Sequence, residues 1–377
     1  MTQAEDRSAS FLRGALARSP SLRVAGRAFS ERERGLLSRY PVFRRRFGDS
    51  LDAAVPLLVM CGLFAAFALL VPNYLSGSNL QQLMRDYAEP CLVALALGIV
   101  VFAGGIDLSV GAIFALANFT ALYLFRIEMW PLPVAVLGVL SVGAVIGAIN
   151  GVLIAYLKTR AFLTTLAMLL ILRAGLDFVT NAYTIELANA WRDTEGWYWL
   201  GAGYFLGVPS NMVILLVVAL ALHLFLTRLR PGLHIMATGA DRKAARHAGI
   251  NTRRVTLLAY VLSGLIAALA GLFYAARQSS AGSDTGLGWE VTALTAVVLG
   301  GVSLSGGGGS VGRVMIGSAI LFLLMSGLLR MNMPGGASSA LIGATLLGAV
   351  GIHIQWSRRR ARSRSVRSPV SDQRGAP

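Results

Sequence analysis

The chain has 377 residues, 55% of them apolar before 42 glycines are added, and only 14% charged. Soluble domains reach about 45–50% apolar with glycine included, so the composition excludes an ordinary soluble fold. The formal net charge of +16 invites a nucleic-acid partner, but the basic residues sit in separate loops between apolar runs, and no nucleic acid is expected.

Residues 1–50 hold eleven Arg against five acids. This Arg-rich, Ser-bearing, acid-poor segment has the character of an organelle transit peptide, and it also suits a solvated arm or one on an anionic lipid surface, which is the preferred reading. It reads as a cytoplasmic tail, because a basic arm ahead of the first span is what orientation requires. The first apolar run begins at residue 53 and is long enough to span, so no cleavable secretory signal is expected. Runs of about 18 or more apolar residues read as membrane-crossing helices. They predict helices near 53–72, 82–103, 108–125, 132–157, 161–181, 209–227, 255–276, 291–303, 313–330 and 338–356. Basic loops at Lys158 and Arg160, at 228–254 and at 357–377 alternate with neutral or acidic ones at 73–90, 126–131, 182–208 and 276–290. The expectation is an all-α polytopic membrane protein of about ten transmembrane helices. Both termini are expected to be cytoplasmic, and Arg-rich tails at 1–50 and 357–377 flank a transmembrane domain at 51–356, with the lipid bilayer as surroundings.

Within the second and third helices stands VVFAGGIDLSVGA at 100–112, and a close copy, VVLGGVSLSGG, returns at 297–307. Gly104, Gly105, Asp107 and Ser109 align with Gly300, Gly301, Ser303 and Ser305. Each glycine costs about 1 kcal/mol in a helix interior, and an Asp or Ser N-cap returns about 1 kcal/mol. The helix is therefore expected to stop and restart at both places, with Asp107 and Ser303 as caps. Broken backbone survives in hydrocarbon only against protein or a wet cavity, and paired breaks point to a translocation pathway. Tight turns on the inner side, with Asp107 capping the next helix, are the other reading. Six crossings separate the two phrases, which implies parallel copies.

In the span at 161–181, Arg173 and Asp177 stand four apart on one helix face. A lone arginine at mid-membrane costs about 2.5–3.5 kcal/mol even on insertion scales, so an intramembrane ion pair is expected. Trp191, Trp197, Tyr198, Trp199 and Tyr204 in the next loop read as an interfacial belt, with stacking on a cargo molecule or a partner protein as the alternative. In the loop at 228–254, Pro231-Gly232 ends a helix and Asp241 caps a short one. Ala244, Ala245, Ala248 and Gly249 give that short helix a small-residue face that a partner can approach.

Chemistry is sparse. The only lysines, Lys158 and Lys243, follow no glycine-rich turn, so no P-loop is expected. Gly306 to Gly309 reads as a packed turn. His223, His234, His247 and His353, with Cys61 and Cys91, show no ligand or redox spacing. No catalytic residue, metal or cofactor is expected.

Taken together, Gly105-Ile106-Asp107-Leu108-Ser109-Val110-Gly111, the inner GADRKAARHAGINTRRV and the later AVVLGGVSLSGGGGSVG resemble the membrane permease of bacterial ABC importers of the ribose, xylose, arabinose and galactose type. The likeness covers about 53–356 with its motifs in order. It implies a multi-pass permease of the bacterial inner membrane that pairs with a second copy or a sibling permease. Sugar would arrive from a periplasmic sugar-binding protein, and cytoplasmic ATPase subunits would dock on the inner loop and hydrolyse the ATP. Carried onto this chain, the ATPase-coupling segment is Gly239 to Asn251, with Gly239, Asp241, Ala245, Gly249 and Asn251 as its best-matching positions. Gly308 stands where such permeases often carry Arg or Lys, and the arginine-rich tails are longer than theirs. Two alternatives stay open: an ABC permease for a branched-chain amino acid, a nucleoside or a signalling furanone, or a proton- or sodium-coupled transporter, for which only Asp107 and Asp177 qualify as titratable carboxylates.

Overall fold

The computed structural model describes residues 42–331 with Gly336, Ala340, Gly343, Ala344 and Leu347, and side chains from Val55 onward. The tails at 1–41 and 357–377, His353 and most of the expected helix at 338–356 lie outside the described residues. Residues 1–54 and 55–377 form separate units. Of the first, 42–54 are helical; every side-chain contact described below lies within the second.

Apolar runs become helices, and charged or glycine-rich stretches become the turns between them. Helix α1 (Val42–Leu70) is followed by α2 (Gly77–Phe102), which starts where Ser76 Oγ accepts the Asn79 N–H. Then come α3 (Val110–Leu122), running on into a π-helical turn at Tyr123–Ile127, α4 (Leu132–Ala155) and α5 (Ala161–Ala182). Two short helices, α6 (Thr184–Asn189) and α7 (Glu195–Ala202), and a two-stranded ribbon, β1 (Tyr204–Phe205) with antiparallel β2 (Val208–Pro209), lead into α8 (Ser210–Arg228). Helices α9 (Arg230–Ala240) and α10 (Arg242–His247) form the basic loop; α11 (Thr252–Gln278), α12 (Trp289–Leu299) and α13 (Val311–Arg330) complete the described chain.

Among the described residues, six segments are long and apolar enough to cross a membrane: Val110–Ile127, α4, α5, α8, α11 and α13. Every residue of α2 from Ala88 to Val101 except Pro90 is buried, which makes it a central helix even though Arg85, Asp86 and Glu89 lie in its first half. Helix α11 is the other central element. It lies against α4 so closely that added side chains at Gly143 and Gly264 would each strike the other's carbonyl, and Gly147 and Gly151 continue the seam. Small residues four apart allow this kind of helix contact in lipid.

The expected span at 291–303 is corrected. With 11 residues, α12 is about 16 Å long, half the hydrocarbon thickness of about 30 Å. The segment before it is not helical and runs along α3. Arg126 donates to Ser279 Oγ at 2.9 Å, Asn118 donates to the Ser280 carbonyl at 3.1 Å, and Trp289 stacks on Phe114 at 4.3 Å.

Loops read as sharing a side do meet. Arg192 donates to the Phe125 and Trp130 carbonyls, and Arg85 to that of Ala202, at one end of the bundle. Lys158 and Arg242, from separate basic loops, line one cavity at the other. The aromatic belt needs one change, because Trp197 is 1% exposed and stacks on Phe125 at 4.3 Å, while Trp191, Tyr198, Trp199 and Tyr204 are exposed.

Candidate functional site

Three helices end in the same way. At α2, Gly104 N–H donates to the Val101 carbonyl at 2.9 Å and Gly105 N–H to that of Val100 at 3.0 Å. At α12, Gly301 N–H reaches Val298 at 2.9 Å and Val302 N–H reaches Val297 at 3.2 Å; at α10, Gly249 and Ile250 repeat the pair on Arg246 and Ala245 at 3.0 Å. This is the Schellman motif, which places a left-handed residue just past the helix. Gly104, Gly301 and Gly249 fill that place with φ of 79°, 72° and 81°. Aligning the two glycine pairs is thus one residue out of step: Gly104 corresponds in conformation to Gly301, while Gly300 is closed against the Arg313 carbonyl of α13.

The caps are corrected as well. Ser109, whose hydroxyl makes no capping bond, is the N-cap of α3, and Ser310, accepting the Arg313 N–H at 3.3 Å, is that of α13. Asp107 does other work. Its Oδ1 accepts the Ser109 N–H at 3.0 Å and O–H at 2.6 Å, and its Oδ2 accepts the Ser263 hydroxyl at 3.1 Å. Asn150 Nδ2 donates to Ser109 Oγ at 2.9 Å, Leu108 N–H to Thr165 Oγ1 at 3.2 Å, and the Tyr260 hydroxyl to the Ile106 carbonyl at 3.2 Å. The first break is therefore pinned to α4, α5 and α11. The Ser303 hydroxyl accepts the Ser305 N–H at 3.3 Å, and its backbone bonds stay within the same turn, to Gly306 and Gly308. Polar residues inside apolar spans, such as Asn150 and Ser263, were the available signal for these partners. Ser263 stands eleven residues into α11, about 16 Å along a helix of about 40 Å, so the Asp107 side of the break is buried in the bundle, while Gly104 is exposed and Gly105 and Ile106 are half-buried.

The two breaks touch each other and the basic loop. Gly307 N–H donates to the Phe102 carbonyl at 3.1 Å. Gly239, one residue from the end of α9, is wedged against both: a side chain there would strike the Phe102 oxygen and come within 2.7 Å of the Gly307 nitrogen. A Cβ on Gly104 would lie 3.4 Å from Gly239 Cα and 3.8 Å from the Ser305 carbonyl. Directly after this contact, Asp241 caps α10, accepting the Lys243 and Ala244 N–H groups at 2.8 and 3.0 Å. Those bonds hold its carboxyl below the usual carboxylate range. Asn251 caps α11 by accepting the Arg254 N–H at 3.2 Å. The small-residue face is narrower than expected, because Ala245 packs inward at 5% exposure and leaves Ala244, Ala248 and Gly249 outside.

The expected pair of Arg173 and Asp177 does not form. Arg173 donates to the Thr285 and Gly286 carbonyls at 2.6 and 2.5 Å, holding the segment before α12, while Asp177 accepts from Asn181 at 3.3 Å. Helical spacing brought the two side chains near each other, but two backbone acceptors suit the planar guanidinium fork better. Accordingly, Asp177→Asn leaves the thermal unfolding midpoint in detergent unchanged or raised, with an effect under about 0.5 kcal/mol. Arg173→Leu removes two charge-assisted bonds of about 1.5–3 kcal/mol each and lowers it clearly. Equal effects would restore the ion pair.

The ion pairs that do form among the described residues join distant helices. Arg277 of α11 meets Asp86 at 2.7 Å and Glu89 at 3.1 Å on α2, and Asn211 of α8 donates to Glu89 at 3.2 Å. Near them a cavity of about 490 Å³ opens between Tyr274, Ser280, Asp284, Thr285 and Trp289.

Residues 80–350 match the family described as "Branched-chain amino acid transport system / permease component". The ribose import permease protein of Escherichia coli is 38% identical over 275 residues, covering 72% of this chain and 84% of that protein. The fructose import permease protein of Bifidobacterium longum is 30% identical over 305 residues, 79% of this chain and 85% of the relative. A probable ABC transporter permease protein of Escherichia coli is 34% identical over 309 residues, 82% and 91% of the two chains. No solved structure matches the chain.

Proposed function

Because the chain belongs to the permease family of ABC importers, we propose that it is the membrane subunit that passes a monosaccharide across a bacterial inner membrane while ATP is hydrolysed on another chain. Two cytoplasmic ATPase subunits dock on 239–251, a periplasmic binding protein delivers the sugar, and a second permease, a copy or a sibling, completes the path. The contact of Gly239 with both helix breaks carries this reading. Closure of the ATPase pair displaces α10, the end of α9 moves with it, and the helices meeting at Phe102 and Gly307 reorient between outward and inward access.

The sugar reading rests on the relatives that import ribose and fructose. The cavity at Tyr274, Asp284 and Trp289 supports it, since an apolar ring beside polar groups suits a polyol. The family description favours a second cargo, a branched-chain amino acid. A substrate screen with the purified assembly in liposomes separates them: saturable uptake of one sugar supports the first, and of leucine or valine the second.

Docking is tested by Gly249→Arg. A non-glycine residue in the left-handed region costs about 1–2 kcal/mol, and the new side chain stands on the exposed small-residue face. The variant is expected to insert normally while reconstituted uptake, and stimulation of the ATPase by loaded binding protein, fall by roughly tenfold or more, the factor that about 1.4 kcal/mol produces. Unchanged values would overturn the assignment of 239–251.

A further inference from the structure

We propose that the basic side of this chain carries a binding site for a phosphate-bearing anion, in the cavity between the α4–α5 loop, α10 and the start of α11. The cavity measures about 440 Å³, and its lining includes Lys158, Arg242, Arg246 and Arg253 with the hydroxyls of Thr252 and Thr256, but no carboxylate. Among the described residues, the carboxylates on the adjoining segments are already engaged: Asp107 with Ser109 and Ser263, and Asp241 with the N–H groups of its own helix. Four cations from two loops thus converge on one concavity without a countercharge.

Positive-inside orientation accounts for how many basic residues these loops hold. It acts on the number of Lys and Arg near span ends, wherever they point, so it does not account for their convergence. The convergence is built into the fold. Arg242 Nη2 donates to Thr256 Oγ1 at 2.9 Å and Arg246 Nε to Thr252 Oγ1 at 3.1 Å, which fixes both guanidinium groups and leaves their other N–H groups free to donate. Lys158 is held at φ 59°, a conformation that non-glycine residues seldom adopt. Burial, and then the charge of Arg246, push Arg242 below the ordinary arginine range. An anion would relieve that repulsion.

Phosphate fits this donor set. Guanidinium groups present paired N–H donors that match phosphate oxygens, and a lysine adds a point charge. The same chemistry has two sources, the headgroup of an anionic lipid and a soluble phosphate or phosphate ester. Either would tie α10 to the α4–α5 loop beside Gly104 and Gly105, which also line the cavity, and so act on the link between the basic loop and the first break.

The test uses the full chain in nanodiscs. One arm titrates inorganic phosphate, against chloride at equal ionic strength, into discs of phosphatidylcholine. The other raises the fraction of phosphatidylglycerol without phosphate. Thermal unfolding and the lipid retained in native mass spectra are read in both. A saturable rise in midpoint in the first arm assigns a soluble ligand, and in the second a lipid headgroup. In either case R242Q/R246Q is expected to weaken binding by roughly tenfold or more. R230Q/R254Q, which removes the same charge from the same loop outside the cavity, keeps it. Lys158→Gln, on the other loop, gives an independent loss should the double variant fail to fold. No saturable response in either arm, or equal weakening in both double variants, would overturn the site.

Discussion

Gly239→Val abolishes most sugar uptake, by roughly tenfold or more, in a protein that still inserts and still binds its ATPase. The expectation comes from where the new atoms must go. The Cβ would enter the hydrogen bond that joins the two breaks, striking its acceptor, the Phe102 oxygen, and crowding its donor, the Gly307 nitrogen. Backbone on both sides cannot swing away as a long side chain can, so α9 has to withdraw or the breaks have to part. Overpacking of this kind costs typically about 1–3 kcal/mol, too little to unfold a bundle of this size but enough to favour one arrangement of the junction. The readout is ATP-driven uptake in proteoliposomes together with ATPase stimulation by the loaded binding protein. Gly308→Ala is the control: it lies in the same turn, but its Cβ would meet only Ser303 Cβ, at 3.6 Å, so it leaves uptake unchanged. Should Gly239→Val and Gly308→Ala behave alike, the junction is not the route by which the basic loop reaches the pathway.

This junction shows what the sequence could disclose. Glycine pairs in apolar runs announce that helices end, because their cost inside a helix is local, and the ends at Gly104 and Gly301 are where the motifs place them. Asp241 was legible as a cap for the same reason, since its partners are two and three residues away. Partners far along the chain were not legible. Asp107 looks like a cap by position, yet Ser263, 156 residues on, takes one of its oxygens. Arg173 looked paired with Asp177 because only side chains appear in a sequence, whereas its acceptors are two backbone carbonyls. Hydropathy read α12 as a full span, because a half-length helix and the apolar turn beside it have the same composition as one long helix.

Arg277→Met is the largest stability loss expected of any single substitution considered in this chain. Arg277 is 14% exposed at its side chain and Glu89 is fully buried, whereas Asp86 is 35% exposed. Removing one partner of a buried pair leaves the other charge desolvated and uncompensated, a loss of about 3–5 kcal/mol. Asn211 is too weak a partner to offset it, as it offers Glu89 a single neutral amide donor at 3.2 Å. Most of the penalty therefore resides on Glu89, which gives the prediction its internal check. Adding Glu89→Gln to Arg277→Met removes the orphaned charge and recovers a large part of the stability, while Asp86→Asn alone, at a more exposed site, costs under about 1 kcal/mol. Thermal unfolding of the four proteins in one detergent measures all three effects. Because the cluster joins α2, α8 and α11, the destabilised variant should also lose protection from proteolysis at the turns flanking those helices. A double variant no more stable than Arg277→Met would mean that the guanidinium acts by packing against Tyr274, over whose ring it lies at 5.6 Å, and that the buried charge of Glu89 is not what it compensates.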